Sequence, residues 1–213
     1  MRRTGRYIAI DGPIGVGKTS LAKALAGRLD ARSILDESGN NPFLDRFYEN
    51  PDKYALPAQL YFLLTRYNQQ RQLLQQELFA QSMVADYILA RDRIFARLNL
   101  DPDELVLYEN VYRLLGGRIA KPDLVVYIRA RTQVLGERLH KRGRPIDRRT
   151  SYDYLERVAG AFRDFFFYYE ETPLLVVDTS EIDFVADPAD LDQLVREIDR
   201  VGTGVQYYVP RKS

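Results

Sequence analysis

Residues Gly12-Pro13-Ile14-Gly15-Val16-Gly17-Lys18-Thr19 form a glycine-rich turn between a short apolar run, Tyr7-Ile8-Ala9-Ile10, and a periodic segment from Ser20 to Leu29. No other stretch constrains the chain as strongly, because strand, loop and helix must occur in that order for the turn to work. Glycine lets successive backbone N–H groups turn inward on a polyphosphate, and the helix N-terminus that follows adds partial positive charge. In such a loop Lys18 reaches the β/γ-phosphates and Thr19 ligates Mg²⁺, while the backbone from Gly12 to Ser20 wraps the anion. The loop names a polyphosphate and leaves open what else the chain binds.

The remainder alternates short apolar runs with helical patterns, which is the signature of a parallel sheet with helices on both faces. Tyr7 to Asp11, Ser33 to Asp36, Met83 to Ala85, Leu124 to Ile128 and Leu174 to Val177 are the five expected strands. The last two are continuously apolar, as strands covered on both faces are. Helices are expected over Tyr54 to Gln81, Asp101 to Leu115 and Ser151 to Glu171. Asp101-Pro102 supplies an N-cap followed by proline at the first helical position, and Gly116-Gly117 supplies the stop. No repeat or linker divides the chain, so one domain is expected over residues 1–213, with an extended or loose tail from Gly202 to Ser213.

Composition matters for what it excludes. The 31 basic and 30 acidic residues nearly cancel, which argues against a nucleic-acid or acidic-membrane partner held by bulk charge. Cysteine is absent, so disulfides, thiolate chemistry and cysteine metal sites are excluded and a reducing cytoplasm suits the chain. The basic start, Met1 to Arg6, leads into a four-residue apolar strand rather than a signal-peptide core. No apolar run approaches membrane-spanning length.

The helix from Tyr54 carries polar groups that a packing helix does not need. Leu56, Leu60, Leu63, Leu64, Tyr67, Leu74 and Leu78 form an apolar stripe, and Gln59 and Arg66 lie beside it. Seven residues separate that pair, which puts both on one face roughly 10 Å apart. An amide and a guanidinium so placed suit two edges of a planar polar ligand such as a nucleobase. Two side chains bordering solvent are the alternative.

Three segments in order, Ile8 to Thr19, Asn41-Pro42-Phe43-Leu44 with Phe47-Tyr48-Glu49-Asn50-Pro51, and Arg142-Gly143-Arg144, resemble the deoxynucleoside kinases over nearly the whole chain. The similarity is to the bacterial deoxyadenosine and deoxyguanosine kinase branch. It implies a three-layer α/β sandwich of the phosphate-loop nucleoside and nucleotide kinase type, with a five-stranded parallel sheet and a short arginine-rich lid. It also implies a homodimer that moves the γ-phosphoryl group of ATP, with Mg²⁺, to the 5′-hydroxyl of a deoxynucleoside.

The resemblance assigns residues. Glu37, at the end of the second strand, matches the carboxylate that accepts the 5′-hydroxyl proton, with its neighbour Asp36 as the alternative because strand alternation turns only one of them toward a site. Tyr48 matches a tyrosine that contacts the sugar 3′-hydroxyl, and Asp147 matches its acidic partner. Gln59 and Arg66 match base contacts, and Asp92 is a further candidate. Arg138, Arg142 and Arg144 match the lid, whose guanidinium groups converge on the transferring phosphoryl. Glu181-Ile182-Asp183-Phe184 matches the loop around adenine, with Asp183 and Phe184 as its ATP contacts.

One departure stands out. The family carries an acid, then arginine, after the third strand; here the segment reads Asp86-Tyr87. Asp86 can still serve Mg²⁺ with Thr19; either Tyr87 with a different cation, Arg91 or Arg93, fills the gap left by the missing arginine, or catalysis relies more heavily on the lid. His140, the single histidine, reads as a solvated helix residue, and Phe162, Phe165, Phe166 and Tyr169 read as core.

Two other functions share features of this pattern. A nucleoside monophosphate kinase similar to thymidylate kinase needs an arginine for the acceptor's phosphate, and none follows Asp86. A GTPase-type switch needs an Asn-Lys-x-Asp motif, which is absent. A non-catalytic nucleotide-binding module is disfavoured by intact Lys18, Thr19, Glu37 and Asp86.

Overall fold

The computed structural model describes residues 5–75, 81–115, 119–182, 184 and 187–210. Gln76 to Ala80, Gly116, Gly117 and Asp183, each part of an expectation above, lie outside the described residues. The chain divides into two compact units, the first formed by Met1–Leu35, Phe79–Ile88 and Lys121–Ser213, the second by Asp36–Leu78 and Leu89–Ala120.

The first unit is built on a parallel sheet of six strands: β1 (Tyr7–Asp11), β2 (Arg32–Ile34), β3 (Met83–Ala85), β4 (Leu124–Arg129), β5 (Leu174–Asp178) and β6 (Val205–Tyr208). Their order across the sheet is β2-β3-β1-β4-β5-β6. Five strands were expected. The sixth comes from the tail, where Tyr207 pairs with Val176 and Tyr208 with Val177. β2 ends at Ile34, two residues sooner than expected, so Glu37 lies three residues past the strand rather than at its end.

Alternation along the strands fills both faces. Ile8, Ile10, Leu124, Val126, Ile128, Leu175, Val177 and Tyr208 point to one core, shared with Leu21 and Leu25 of α1 (Lys18–Leu29) and with Leu194 and Ile198 of the helix at Pro188–Arg200. On the opposite face Tyr127 stacks on Phe166 of the helix at Tyr152–Phe167, with centroids 4.2 Å apart. That helix begins at Ser151, whose hydroxyl accepts from Tyr154 N. Phe162, Phe166 and Tyr169 are buried, as core residues should be.

The second unit is helical: α2 (Leu44–Glu49), α3 (Pro51–Gln75), α4 (Arg91–Asn99) and α5 (Pro102–Leu115). α6 (Thr132–Arg142), α7 (Tyr152–Phe167) and α8 (Pro188–Arg200) complete the first. α3 starts three residues sooner than Tyr54, because Asn50 Oδ1 accepts from Lys53 N and Pro51 occupies the first helical position. At α5, Asp101 and Glu104 exchange side-chain to backbone hydrogen bonds of 2.8 and 3.3 Å, a reciprocal cap that sets the helix start. Leu63, Leu89, Ala96 and Tyr108 form its central apolar cluster. No helix among the described residues is long and apolar enough to cross a membrane.

Candidate active site

The loop after β1 has the geometry its glycines predict. Gly12 has φ +156°, and a Cβ there would lie 2.1 Å from Ile128 O of β4; at Gly15, φ +83°, a Cβ would lie 2.9 Å from Leu135 O of α6. Neither position admits a side chain without moving backbone. Lys18 Nζ donates to Gly12 O and Pro13 O, each at 2.8 Å, so the cation is held over the loop. Asp11, fully buried, clamps the loop base: Oδ1 accepts from Gly12 N at 2.7 Å and Oδ2 from Ile88 N at 3.0 Å.

Thr19, one residue into α1, donates from Oγ1 to Asp86 Oδ2 at 2.5 Å just past β3. A hydroxyl and a carboxylate oxygen side by side are hard ligands of the kind Mg²⁺ takes once or twice from protein while phosphates and water fill its other positions. The pair therefore fits that ion. No group of three or more His, Cys, Asp or Glu suited to a metal occurs among the described residues.

The lid arginines differ from one another. Arg138, on α6, donates to Val16 O (3.2 Å), Thr179 Oγ1 (3.0 Å), Thr179 O (2.7 Å) and Ile182 O (3.0 Å). It joins the phosphate loop to the segment after β5. Arg142 forms a two-point pair with Asp147, 2.8 Å from Nε and 2.5 Å from Nη2. Arg144 is exposed, and its backbone N–H reaches Asp147 Oδ2 at 3.2 Å. Burial raises the Asp147 carboxyl, but the Arg142 hydrogen bonds and charge, with Arg144 beside them, hold it below the ordinary value. Asp147 thus ties the turn after α6 to Arg142. Phe184 is buried in the sheet core, so its ring braces the segment after β5 from beneath. His140 is exposed.

In the second unit α3 carries Gln59 and Arg66 inward, 3% and 5% exposed, which excludes the solvent-facing alternative. Arg66 sits between two carboxylates. Its Nη2 and Nε lie 2.7 and 3.2 Å from Asp36 Oδ2, and its Nη1 bonds Asp92 Oδ1. Asp92, at the start of α4, is wholly buried. Its Oδ2, Gln59 Oε1 and the Tyr108 hydroxyl find no hydrogen-bond partner among the described residues. Burial pushes the Asp92 carboxyl up to about 6, outweighing Arg66 and Arg91, while Asp36 adds to the rise.

Tyr48 is half-buried against Phe47, with ring centroids 5.3 Å apart. Glu37 is exposed. Arg93 is paired with Glu109 at 3.0 Å, and Arg91 is buried with its guanidinium over Phe95. Tyr87, in the place of the absent arginine, is fully buried. Asp11 and the Asp36–Arg66 pair were not anticipated from sequence. An acid closing an otherwise apolar strand was the one available signal for Asp11, and nothing local links residues 36 and 66.

A parallel sheet ordered 2-3-1-4-5-6 with a lysine-bearing phosphate loop after its first strand defines a nucleotide-binding phosphotransferase of the phosphate-loop kinase class. A profile of the deoxynucleoside kinase family matches residues 8–202. The deoxyguanosine kinase of Bacillus subtilis is 32% identical over 200 residues, covering 92% of this chain and 97% of that protein. The deoxyadenosine kinase of Dictyostelium discoideum is 31% identical, over 90% of this chain and 78% of that protein. Among solved structures, a deoxyadenosine kinase from M. mycoides superposes with a TM-score of 0.78 at 24% identity, covering 92% of this chain and all of that one. The chain belongs to the deoxynucleoside kinase family.

Proposed function

We propose that residues 1–213 act as one cytoplasmic kinase domain that transfers the γ-phosphoryl group of ATP to the 5′-hydroxyl of a deoxynucleoside in nucleotide salvage. The observation that carries the acceptor assignment is the buried polar set of Gln59, Arg66 and Asp92, whose Gln59 Oε1 and Asp92 Oδ2 are left without partners. A buried acceptor without a donor costs about 1–3 kcal/mol, and a ligand that supplies donors recovers it. The exocyclic amine of adenine, guanine or cytosine carries two N–H donors, enough for both acceptors; thymine has no exocyclic amine and offers only its single N3–H. Names of the relatives, deoxyguanosine kinase and deoxyadenosine kinase, support a purine preference.

Gly12 to Ser20 hold the phosphates through backbone N–H groups, and Lys18 moves from the loop carbonyls to the β/γ-phosphates. Thr19 and Asp86 would hold Mg²⁺, which when bound would neutralise phosphate charge. Arg142 and Arg144 offer guanidinium groups to the transferring phosphoryl, Arg142 by leaving Asp147, and Arg138 keeps the adenine segment with Phe184 and Asp183 in register with the loop. Tyr48 and Asp147 serve the sugar 3′-hydroxyl. Gln59 and Asp92 face the base, with Arg66 bracing Asp92. One carboxylate of the Asp36–Glu37 pair accepts the 5′-hydroxyl proton as the new P–O bond forms and ADP leaves.

A homodimer is proposed through α5 and α3, where Val106, Leu107, Leu114 and Leu64 are 63, 50, 85 and 44% exposed. Large exposed apolar side chains, three on α5 and one on α3, are what a protein partner covers. The activity is tested by offering the four deoxynucleosides singly with Mg·ATP and identifying products by chromatography. Deoxyadenosine, deoxyguanosine or deoxycytidine should give its monophosphate, with thymidine the poorest acceptor. Thymidine as the best acceptor would remove Gln59 and Asp92 from base selection.

A further inference from the structure

β1 and β3 lie side by side, but their backbone pairing runs only from Tyr7 opposite Met83 to Ala9 opposite Ala85. β1 continues through Ile10 and Asp11, paired on its other side with Val126 and Tyr127 of β4. The chain leaving β1 goes on to β2 on one side of the sheet, and the chain leaving β3 goes on to β4 on the other. Neighbouring strands whose connections part in this way open a crevice at their carboxyl ends, which is where open α/β sheets bind ligands.

Across that crevice the Asp11 carboxylate takes over from the ladder. Its Oδ1 accepts from Gly12 N at 2.7 Å on the β1 side, and its Oδ2 accepts from Ile88 N at 3.0 Å on the β3 side. Asp11 and Ile88 are both buried. Ile88 stands two residues past Asp86, whose own backbone N–H donates to Ile34 O of β2 at 3.1 Å. Asp86 is therefore held from both sides, by β2 through its N–H and by β1 through Ile88. Its Oδ2 in turn accepts from Thr19 Oγ1 at 2.5 Å, and Thr19 closes the phosphate loop that Gly12 begins. Asp11, the loop from Gly12 to Thr19, Asp86 and Ile88 thus make one closed ring of chain and hydrogen bonds.

Resting on the kinase reading above, we infer that Asp11 is a positioning residue for the cation that accompanies ATP: by tying Ile88 to Gly12 it sets the separation of Thr19 and Asp86, the pair that would hold Mg²⁺. A carboxylate suits this place because both of its partners are N–H donors. Asparagine offers one oxygen and turns an NH₂ group on the other donor. Groups that orient metal ligands from behind are worth about 10- to 100-fold in metal affinity or activity.

The test uses the full chain, with ATP and Mg²⁺ as probes and isothermal titration calorimetry as the readout. ATP affinity is measured in EDTA and again in Mg²⁺ for the wild type, Asp11→Asn, Ile88→Pro, Asp86→Asn and the Asp11→Asn/Asp86→Asn double variant. The wild type should gain at least about tenfold from Mg²⁺. Asp11→Asn should cut that gain to less than about threefold, with affinity in EDTA changed less than about threefold. Ile88→Pro removes the N–H and leaves the Asp11 charge in place, and it should do the same. Asp11→Asn should add little to Asp86→Asn, because its effect runs through Asp86.

An unchanged gain in Asp11→Asn overturns the inference. So does an equal loss of ATP affinity with and without Mg²⁺, which is the mark of a damaged loop alone. Should neither variant fold, hydrogen exchange of the Ile88 amide in the wild type decides by NMR: slower exchange with Mg·ATP than with ATP in EDTA supports the ring, and equal exchange overturns it. A wild type that binds ATP with its Mg²⁺ gain but phosphorylates no deoxynucleoside fails a different statement, the kinase reading, and is distinguished from both.

Discussion

Asp92 carries the sharpest chemical consequence at the scale of single residues. Its carboxyl is pushed up to about 6 by burial, against the opposing Arg66 and Arg91 charges. An acid raised in the folded state binds protons more tightly folded than unfolded, so between its ordinary value near 4 and about 6 acidification favours the fold. The ionised carboxylate is the stronger acceptor for a base amine, so the same protonation opposes substrate. KM for deoxyadenosine should rise about tenfold from pH 7.5 to pH 5, more than KM for Mg·ATP, and Asp92→Asn should flatten that difference. A profile in which both KM values move together would take Asp92 away from the base. The spacing of Gln59 and Arg66 was legible in the sequence because seven residues define a helix face. The pairing of Arg66 with Asp36, thirty positions away, was not, because it depends on how α3 packs and not on any local pattern.

Among the elements, β1 and its loop show most directly how sequence order becomes a site. Asp11 ends β1 by accepting from Gly12 N and Ile88 N in a fully buried position. Removing that carboxylate leaves two buried N–H groups unpaired at about 1–3 kcal/mol each. Asp11→Ala should therefore lower Tm by about 5–15 °C, and Asp11→Asn, which keeps one acceptor, by less. Differential scanning calorimetry checks this, and an Asp11→Ala variant that melts like the wild type would contradict it. Strand and helix identities were readable wherever apolar period and caps agreed, as at Asp101-Pro102 and Ser151. The early start of α3 was also written in Asn50-Pro51, but the apolar stripe drew the expected boundary inward. β6 was missed because Val205, Tyr207 and Val209 are exposed; an edge strand with one open face lacks the continuous apolar run that marked β4 and β5. Phe184 was placed near ATP by resemblance alone, and its burial in the sheet core was not readable from the sequence around it.

At the scale of the whole molecule, the first unit carries the phosphate loop with Lys18, Thr19 and Asp86, and the second carries the buried polar set of Gln59, Arg66 and Asp92 proposed above to face the base. The exposed apolar side chains of α5 give the dimer proposal its test. Leu107→Glu/Leu114→Glu should convert a dimer to a monomer by light scattering while far-UV circular dichroism is unchanged. An assembly size unaffected by the pair would remove α5 from the interface. The fold class and the phosphate chemistry were legible because one strand-loop-helix signature fixes both. The acceptor class was read through resemblance, since the residues proposed for it are scattered along the chain; within the second unit α3 and α4 bring Arg66 and Asp92 together. The central claim is that the acceptor is an unphosphorylated deoxynucleoside, and a direct competition measures it. Deoxyadenosine and deoxyadenosine monophosphate are supplied together at equal concentration with limiting Mg·[γ-³²P]ATP, and the labelled product is resolved by ion-exchange chromatography. The account predicts label in deoxyadenosine monophosphate; label in the diphosphate, with deoxyadenosine untouched, would contradict it.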